Sequence, residues 1–367
     1  MSGVQQTNGR TARVRRVRPD EVVPPTGRRD LEQEERAVAD PVVSIIIVAF
    51  QALEDLRECL PSLSRSRTVP QEVILVENAS TDGTVDFVRR AHPEVTLIRN
   101  EENRGFAMPC NRGAAAARGD VLIFLNSDTI VTPGWVDPLV AELRDPSVGA
   151  CMPRILLHGM SQVNTMGLRV HWSGLAWMDR WQAQDPGPGP AEEVFGASGC
   201  ALAIRADTFR EVQGFTEDFF IYHDDVDLCW RLRLRGYRAM AVPKASIQHK
   251  YSFSHNPLKW QLAERNRLKM ILANYHWATL VLLSPALIAV EVGLWLYAAR
   301  AGLLRGKWRG TCDLARGLPR LLRRRKIVQA SRRVSDWQIW RKLSSSRELW
   351  RASHQYAAAG QQEGQVR

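Results

Sequence analysis

With 367 residues, 45% of them hydrophobic, the chain suits one large domain with extensions or two small domains, and it can bury a substantial core. The net charge of +11 invites a nucleic-acid reading, but its distribution argues against one. Residues 41–299 carry 25 basic and 28 acidic side chains, whereas residues 300–342 carry fourteen Lys or Arg against two Asp, so the core has no basic excess for a phosphate backbone. The cysteines (Cys59, Cys110, Cys151, Cys200, Cys229, Cys312) show no close pairs and no metal-finger spacing, which fits reduced thiols in a cytosolic setting. The N-terminus lacks the apolar stretch of a secretory signal.

Residues 1–40, rich in Arg, Glu, Gln and Pro, read as a disordered arm. VVSIIIVAF (42–50) is continuous and β-branched, the pattern of a buried parallel strand. Leu53 to Leu63 has a helical period, and Val73 to Val76 forms a second strand. Thr84 to Ala91 predicts a helix and Val95 to Ile98 a strand. Phe106 to Ala117 predicts a helix with Pro109 in its first turn. Val121 to Asp128 (VLIFLNSD) is a strand running into polar residues. A carboxylate there sits at the mouth of an α/β sheet and, with a divalent cation, holds a nucleotide; a plain turn is the other reading. The alternation of strands and helices predicts a largely parallel sheet with helices on both faces.

Val148 to Leu157 reads as a strand, and 158–195 as a long loop or hairpin region. Asp224, Asp225 and Asp227 fall where a helix begins, a position that favours acids. LCWRLRLRG (228–236) alternates like a strand, but Gly236 suits a helix C-terminus and a helix is expected. Tyr237 to Val242 is a short strand, followed by His249.

In their order and spacing, VSIIIVAFQ (43–51), VILVENASTDGT (73–84), NEENRGFAMPCNRGAAAARGD (100–120), FLNSD (124–128), GASGCALAIR (196–205) and DFFIYHDDVDLCWRLRLRGYR (218–238) resemble the family 2 glycosyltransferases of the GT-A fold. The likeness is greatest to bacterial cell-surface and rhamnosyl-type members. It implies a Rossmann-like mixed, mostly parallel sheet over 41–255. It also implies that Ala49, Phe50, Glu77, Asn78 and Asp82 hold the donor's base and ribose. Asx-turn closure is an equal reading for Asn78 and Asp82. Asn103, Gly105 and Asn111 fall in the segment that faces the donor diphosphate, with Gly105 permitting close backbone approach. Asn126 replaces the first acid of the DxD position, and Asp128 is the implied ligand for Mg²⁺ or Mn²⁺, with His249 as a further metal contact. Asp225 is the implied general base, and Asp224 orients the acceptor or supports the loop. Asp227 reads as a plain helix N-terminal acid.

Trp277 to Ala299 reaches the length of a spanning helix, but Pro285 and Glu291 lie inside it and the Arg-rich tail opposes the positive-inside tendency. An in-plane or re-entrant helix is expected, with Arg305 to Arg333 on anionic headgroups. The expected organisation is an arm (1–40), a catalytic domain (41–255), a helical membrane-associated region (256–345) and a flexible tail (346–367). The expected protein is cytoplasmic, peripheral or monotopic on the inner face of the cell membrane. The expected activity is inverting transfer from a nucleotide-sugar donor, dTDP-rhamnose or a UDP-sugar, to a glycan or polyprenyl-diphosphate-linked acceptor, with no nucleic-acid partner. The alternative is a catalytically weak binding protein that docks through its basic tail.

Overall fold

Strand β1 (Val43–Ala49) lies at the centre of the sheet, flanked in parallel by β2 (Gln71–Glu77) and β4 (Val121–Asn126). Ile46 stands level with Ile74 on one side and Phe124 on the other. All three are fully buried, which is why these strands read as unbroken apolar runs. The computed structural model describes residues 43–66, 68–69, 71–251 and 257–365; the expected arm over 1–40 lies outside these.

Helices α1 (Leu53–Arg65), α2 (Thr84–Ala91) and α3 (Ala107–Ala116) connect β1, β2, β3 (Thr96–Arg99) and β4. Helix α3 crosses the sheet closely at Gly113, where an added Cβ would meet Ile46 at 2.5 Å.

Beyond β4 the sheet becomes mixed. Its order is β10–β12–β6–β11–β4–β1–β2–β3, with β5 (Thr129–Val131) on β12 and β7 (Val163–Thr165) on β6. Strand β11 (Ala201–Arg205) runs antiparallel to β4 and to β6 (Val148–Leu157). Strand β12 (Arg238–His249) is longer than the expected 237–242, because its far end pairs with β5. Strands β8 (Leu168–Val170) and β9 (Ala176–Met178) form a separate hairpin, and β10 (Glu192–Val194) pairs with β12. The 158–195 region is thus hairpin-bearing. The short helices α4 (Val136–Glu142) and α5 (Ala206–Glu211) complete this half.

Helix α6 (Asp224–Leu234) resolves the ambiguous alternation. It is buried on all sides, including Arg231 and Arg233. Arg231 donates to Asp227 at 2.9 Å and to the Gly214 carbonyl at 2.7 Å; Arg233 donates to the Phe195 carbonyl at 2.7 Å and to Glu193 at 3.0 Å. The strand-like pattern therefore records guanidinium groups inside the fold, each supplied with acceptors.

The C-terminal helices are α7 (Pro257–Asn274), α8 (Trp277–Arg300), α9 (Leu304–Arg316), α10 (Leu318–Ala330), α11 (Asp336–Trp340) and α12 (Ser346–Gln365). Residues 41–367 form one compact unit, so the expected boundary at 255 is not a domain break. Helix α8 is long and apolar enough to cross a membrane. It lies antiparallel along α7: Leu280 packs near Met270 and Tyr275, Glu291 meets Arg267, and Tyr297 meets Trp260. Its other faces expose Val281, Leu282, Ile288, Val292 and Leu296.

Glu291 faces the protein, which removes the sequence-based objection to an acid in this helix. It accepts from Arg267 and, at 2.9 Å, from Lys307. Lys307 also reaches Glu264 at 2.6 Å, and Arg267 donates to the Ser173 carbonyl at 2.8 Å. Two acids and two bases thus join α7, α8, α9 and the β8–β9 hairpin. Removing one member leaves a buried charge without its partner, so Lys307→Met should cost about 3 kcal/mol. Chemical denaturation will show this as a lowered midpoint at unchanged slope.

Candidate active site

The end of β4 delivers Asn126, Ser127 and Asp128 to the edge of the sheet. The turn closes where Thr129 Oγ1 donates to the Asn126 carbonyl at 2.7 Å. Pairing of β5 with β12 sets Thr129 opposite His249. His249 Nε2 consequently lies 3.2 Å from Asp128 Oδ1. Its Nδ1 lies 3.0 Å from Asn164 Oδ1, at the end of which the ring has little freedom to turn. Burial disfavours the charged ring of His249, but the Cys200 thiol and the Asp128 carboxylate outweigh it and raise the ring to about 10. Burial works against the Asp128 carboxylate, yet His249 holds it below its ordinary value.

Asp128 Oδ1 is buried and accepts no hydrogen bond of good geometry. Nε2 of His249 lies beside it, and once that ring gives up its Nε2 proton the pair could hold a divalent cation. Among the described residues no three His, Cys, Asp or Glu side chains gather around one point. The chain therefore offers two ligands and leaves the remaining positions to substrate phosphates and water, as Mg²⁺-type sites commonly do.

The second half of the site precedes α6. Phe220, Tyr222 and His223 have φ of 67°, 72° and 62°, a left-handed backbone that costs bulky residues roughly 1–3 kcal/mol each. The surroundings impose it. Asn266 Nδ2 lies 2.9, 2.9 and 2.8 Å from the carbonyls of Phe219, Ile221 and Tyr222, and Arg265 donates to Phe219 at 2.8 Å. The loop places Asp224 and Asp225 side by side in buried surroundings. Asp225 accepts from the N–H of Gly199 at 2.9 Å and of Val226 at 2.8 Å. Burial lifts the Asp225 carboxyl above its ordinary value, and these N–H groups oppose the lift. Burial and the Asp225 charge push Asp224 well above it, and its Oδ2 has no partner. Of the two, Asp224 is pushed further toward its neutral form, and Asp225 is the better supported as a carboxylate. His223 is held neutral by burial, at about 4.

Asp227 does more than begin a helix. Thr216, Arg231 and Arg324 donate to it at 2.7, 2.9 and 2.6 Å. Burial disfavours its charge, and Arg324 and Arg231 restore it.

A cavity of about 570 Å³ is lined by Asn126, Asp224, Asp225 and His249 at its polar side. Asp128 touches it through His249. The other expected residues do not line it. Ala49 is buried, and its carbonyl accepts from the Asn78 N–H at 2.9 Å; Phe50 is 47% exposed at the end of β1. Glu77 is fully buried, accepting from the Ser80 N–H and facing Arg99 at 3.6 Å. Asn78 bonds Gly105 at 2.6 Å and Asn100 at 2.7 Å. Asp82 forms the Asx turn, accepting from Thr84 N–H at 3.1 Å and Leu53 N–H at 2.9 Å. Asn103 accepts from the Gly105 N–H at 2.9 Å.

Two of the expected donor-side residues have partners within the protein. Gly105 does permit close approach, but to the Phe220 carbonyl, which would lie 2.2 Å from an added Cβ and which already accepts from the Phe106 N–H at the start of α3. Asn111 is occupied by the Phe215 backbone at 3.0 and 2.9 Å, so it ties a turn and does not face the cavity. Within the expected tail, Leu349, Ala352 and Tyr356 of α12 line the cavity, and Tyr356 Oη accepts from the Met178 N–H at 3.2 Å. Their helical spacing is the signal that composition concealed. Asn164 and Asn266 carried no readable sequence signal.

Residues 44–212 match the family described as Glycosyl transferase family 2. That stretch is similar to the family. The chain is 29% identical over 267 residues to the N-acetylglucosaminyl-diphospho-decaprenol L-rhamnosyltransferase of Mycobacterium tuberculosis, covering 64% of the chain and 85% of the relative. It is 31% identical over 211 residues to the pre-mycofactocin glycosyltransferase of the same species, covering 56% of the chain and 42% of the relative. The structure of GalNAc-T7 with UDP, GalNAc and Mn²⁺ superposes with a TM-score of 0.52 at 18% identity, over 64% of this chain and 48% of that one. That likeness concerns the fold.

Asn266→Ala removes the donor that restrains the strained loop. We expect a stability loss of about 2 kcal/mol in denaturant titration, accompanied by a fall in turnover.

Proposed function

We propose that the glycosyltransferase moves a sugar, with inversion, from a nucleotide diphosphate donor to a hydroxyl of a glycan or lipid-linked glycan in cell-envelope polysaccharide synthesis. The observation that carries this is Asp225, held by the N–H groups of Gly199 and Val226 beside Asp224, on the same cavity as Asn126 and His249. Asp225 accepts the proton of the attacking hydroxyl as the new bond forms on the face opposite the leaving diphosphate. Gly199 and Val226 hold the carboxylate in place while this happens. Asp224 donates a hydrogen bond to the acceptor or steadies the loop. Phe50, exposed at the end of β1, offers a face for the donor base, and Asn126 reaches toward the ribose or phosphate. Asp128 and His249 would hold Mg²⁺ or Mn²⁺, which would supply positive charge to stabilise the departing diphosphate.

The similarity to a rhamnosyltransferase acting on a diphospho-decaprenol acceptor supports dTDP-rhamnose as the first donor to test, with UDP-sugars next. The outward apolar faces of α8, followed by exposed Arg309, Arg316, Arg323 and Lys326, support peripheral attachment to an anionic membrane on the cytoplasmic side. Lys307, Arg324 and Arg325 take no part in that attachment, since they are buried against the protein or half-buried on Asp227.

Donor turnover should separate the two acids. Asp225→Asn should lower kcat about 10³-fold, the effect of losing a positioned base. Asp224→Asn should stay within about ten-fold, because the amide mimics a neutral acid. Since a base works only when ionised and Asp225 is raised, kcat/KM should fall as pH drops, with its acid limb above the ordinary carboxylate value of about 4. Equal losses in the two variants remove the assignment.

Chelation by EDTA should abolish turnover, and Mn²⁺ or Mg²⁺ should restore it. Asn164→Ala, which frees the His249 ring, should raise the metal concentration needed for half-activity by about ten-fold or more.

A further inference from the structure

The cavity has two unlike halves. One carries Asn126, Asp224, Asp225 and His249. The other is walled by Leu175, Trp177 and Met178 of the β8–β9 hairpin and by Leu349, Ala352 and Tyr356 of α12. Leu175, Trp177, Met178 and Leu349 are each half-buried, so they keep apolar surface open toward the cavity and are not sealed in a core. Donor recognition has no use for such a wall. An acceptor that were only a sugar would be met by hydrogen-bonding groups, which this half of the cavity largely lacks. One continuous space with an acidic end and an apolar end fits an amphipathic ligand.

The position of the wall in the fold points the same way. The turn of the hairpin is held by α7: Arg267 donates to the Ser173 carbonyl at 2.8 Å, and Tyr275 Oη donates to Trp172 at 2.9 Å. The same Arg267 binds Glu291 of α8, the helix whose apolar faces are exposed. The apolar wall and the outward apolar helix are therefore neighbours through a single side chain. Lys259, in the first turn of α7, also lines the cavity, 5.7 Å from the Tyr222 ring centroid, and brings positive charge to the space between the two halves.

We infer that the apolar half of this cavity seats the first prenyl units of a diphosphate-linked acceptor, placing its sugar hydroxyl at Asp225. This rests on the glycosyl-transfer reading above and gives its acceptor a binding wall built from Trp177 and Met178 of the hairpin and Leu349 and Ala352 of α12, two elements that pack against each other. The volume of about 570 Å³ is ample for one sugar with the head of a prenyl diphosphate, but not for a long chain.

Calorimetry with the full chain tests this, using inorganic diphosphate, geranyl diphosphate and farnesyl diphosphate as probes. Affinity should rise at least ten-fold from inorganic to farnesyl diphosphate, with geranyl between them and a negative heat-capacity change. Trp177→Ala and Leu349→Asp, on separate elements, should each weaken farnesyl diphosphate at least ten-fold in proteins that retain the wild-type thermal melt. The chain-length series needs no variant, so misfolding of either leaves the test intact. Equal binding of the three probes overturns the inference, as does undiminished farnesyl binding in folded variants. Donor hydrolysis by the wild type is measured alongside. Its absence with prenyl selectivity retained removes the transfer reading, and with it the acceptor assignment; its presence without prenyl selectivity removes the acceptor assignment alone.

Discussion

Two adjacent carboxylates inside a protein repel each other's charge, and only one of them is readily ionised. The structure decides which by backbone donors. Asp225 accepts from the N–H groups of Gly199 and Val226, whereas one Asp224 oxygen has no partner, so the negative charge is better supported on Asp225. The strained turn before α6 brings both acids to the start of the helix.

That turn is held by elements far away in sequence. Asn266 and Arg265 on α7 grip its carbonyls, and Arg324 on α10 clamps Asp227 one helical turn further on. A segment that looks like an apolar-then-basic membrane attachment is therefore also part of the frame of the candidate site. Its arginines and lysines have two destinations. Some face outward, while Arg267, Lys307, Arg324 and Arg325 point inward to carboxylates or carbonyls.

Much of this was legible in the sequence. The unbroken β-branched runs at 43–49 and 121–126 announced buried parallel strands, and the motif order announced the family. Asp224, Asp225, Asn126 and His249 were all singled out, and the fold gathers them around one cavity. What escaped was set by pairing partners. The length of β12 depends on β5; the helix over α6 was expected despite its strand-like alternation, but the burial of its arginines was not visible in the pattern. Gly105 was rightly seen as a site of close approach, but a sequence cannot say whether a ligand or a carbonyl does the approaching. Asn164 and Asn266 are ordinary residues in ordinary helical or strand-edge surroundings until the chain folds and their amides find lone partners.

The grip of Asn266 on Phe219, Ile221 and Tyr222 has a practical consequence for how small the working enzyme can be made. The stretch matched to the family ends at residue 212, short of both acids. A fragment cut after the last strand would keep the sheet residues and the Asp128–His249 pair while leaving three carbonyls of the turn without their clasp. Such a fragment is the natural choice for anyone seeking to discard the sticky C-terminal helices before crystallisation, and it would yield a sound scaffold with an unset active site.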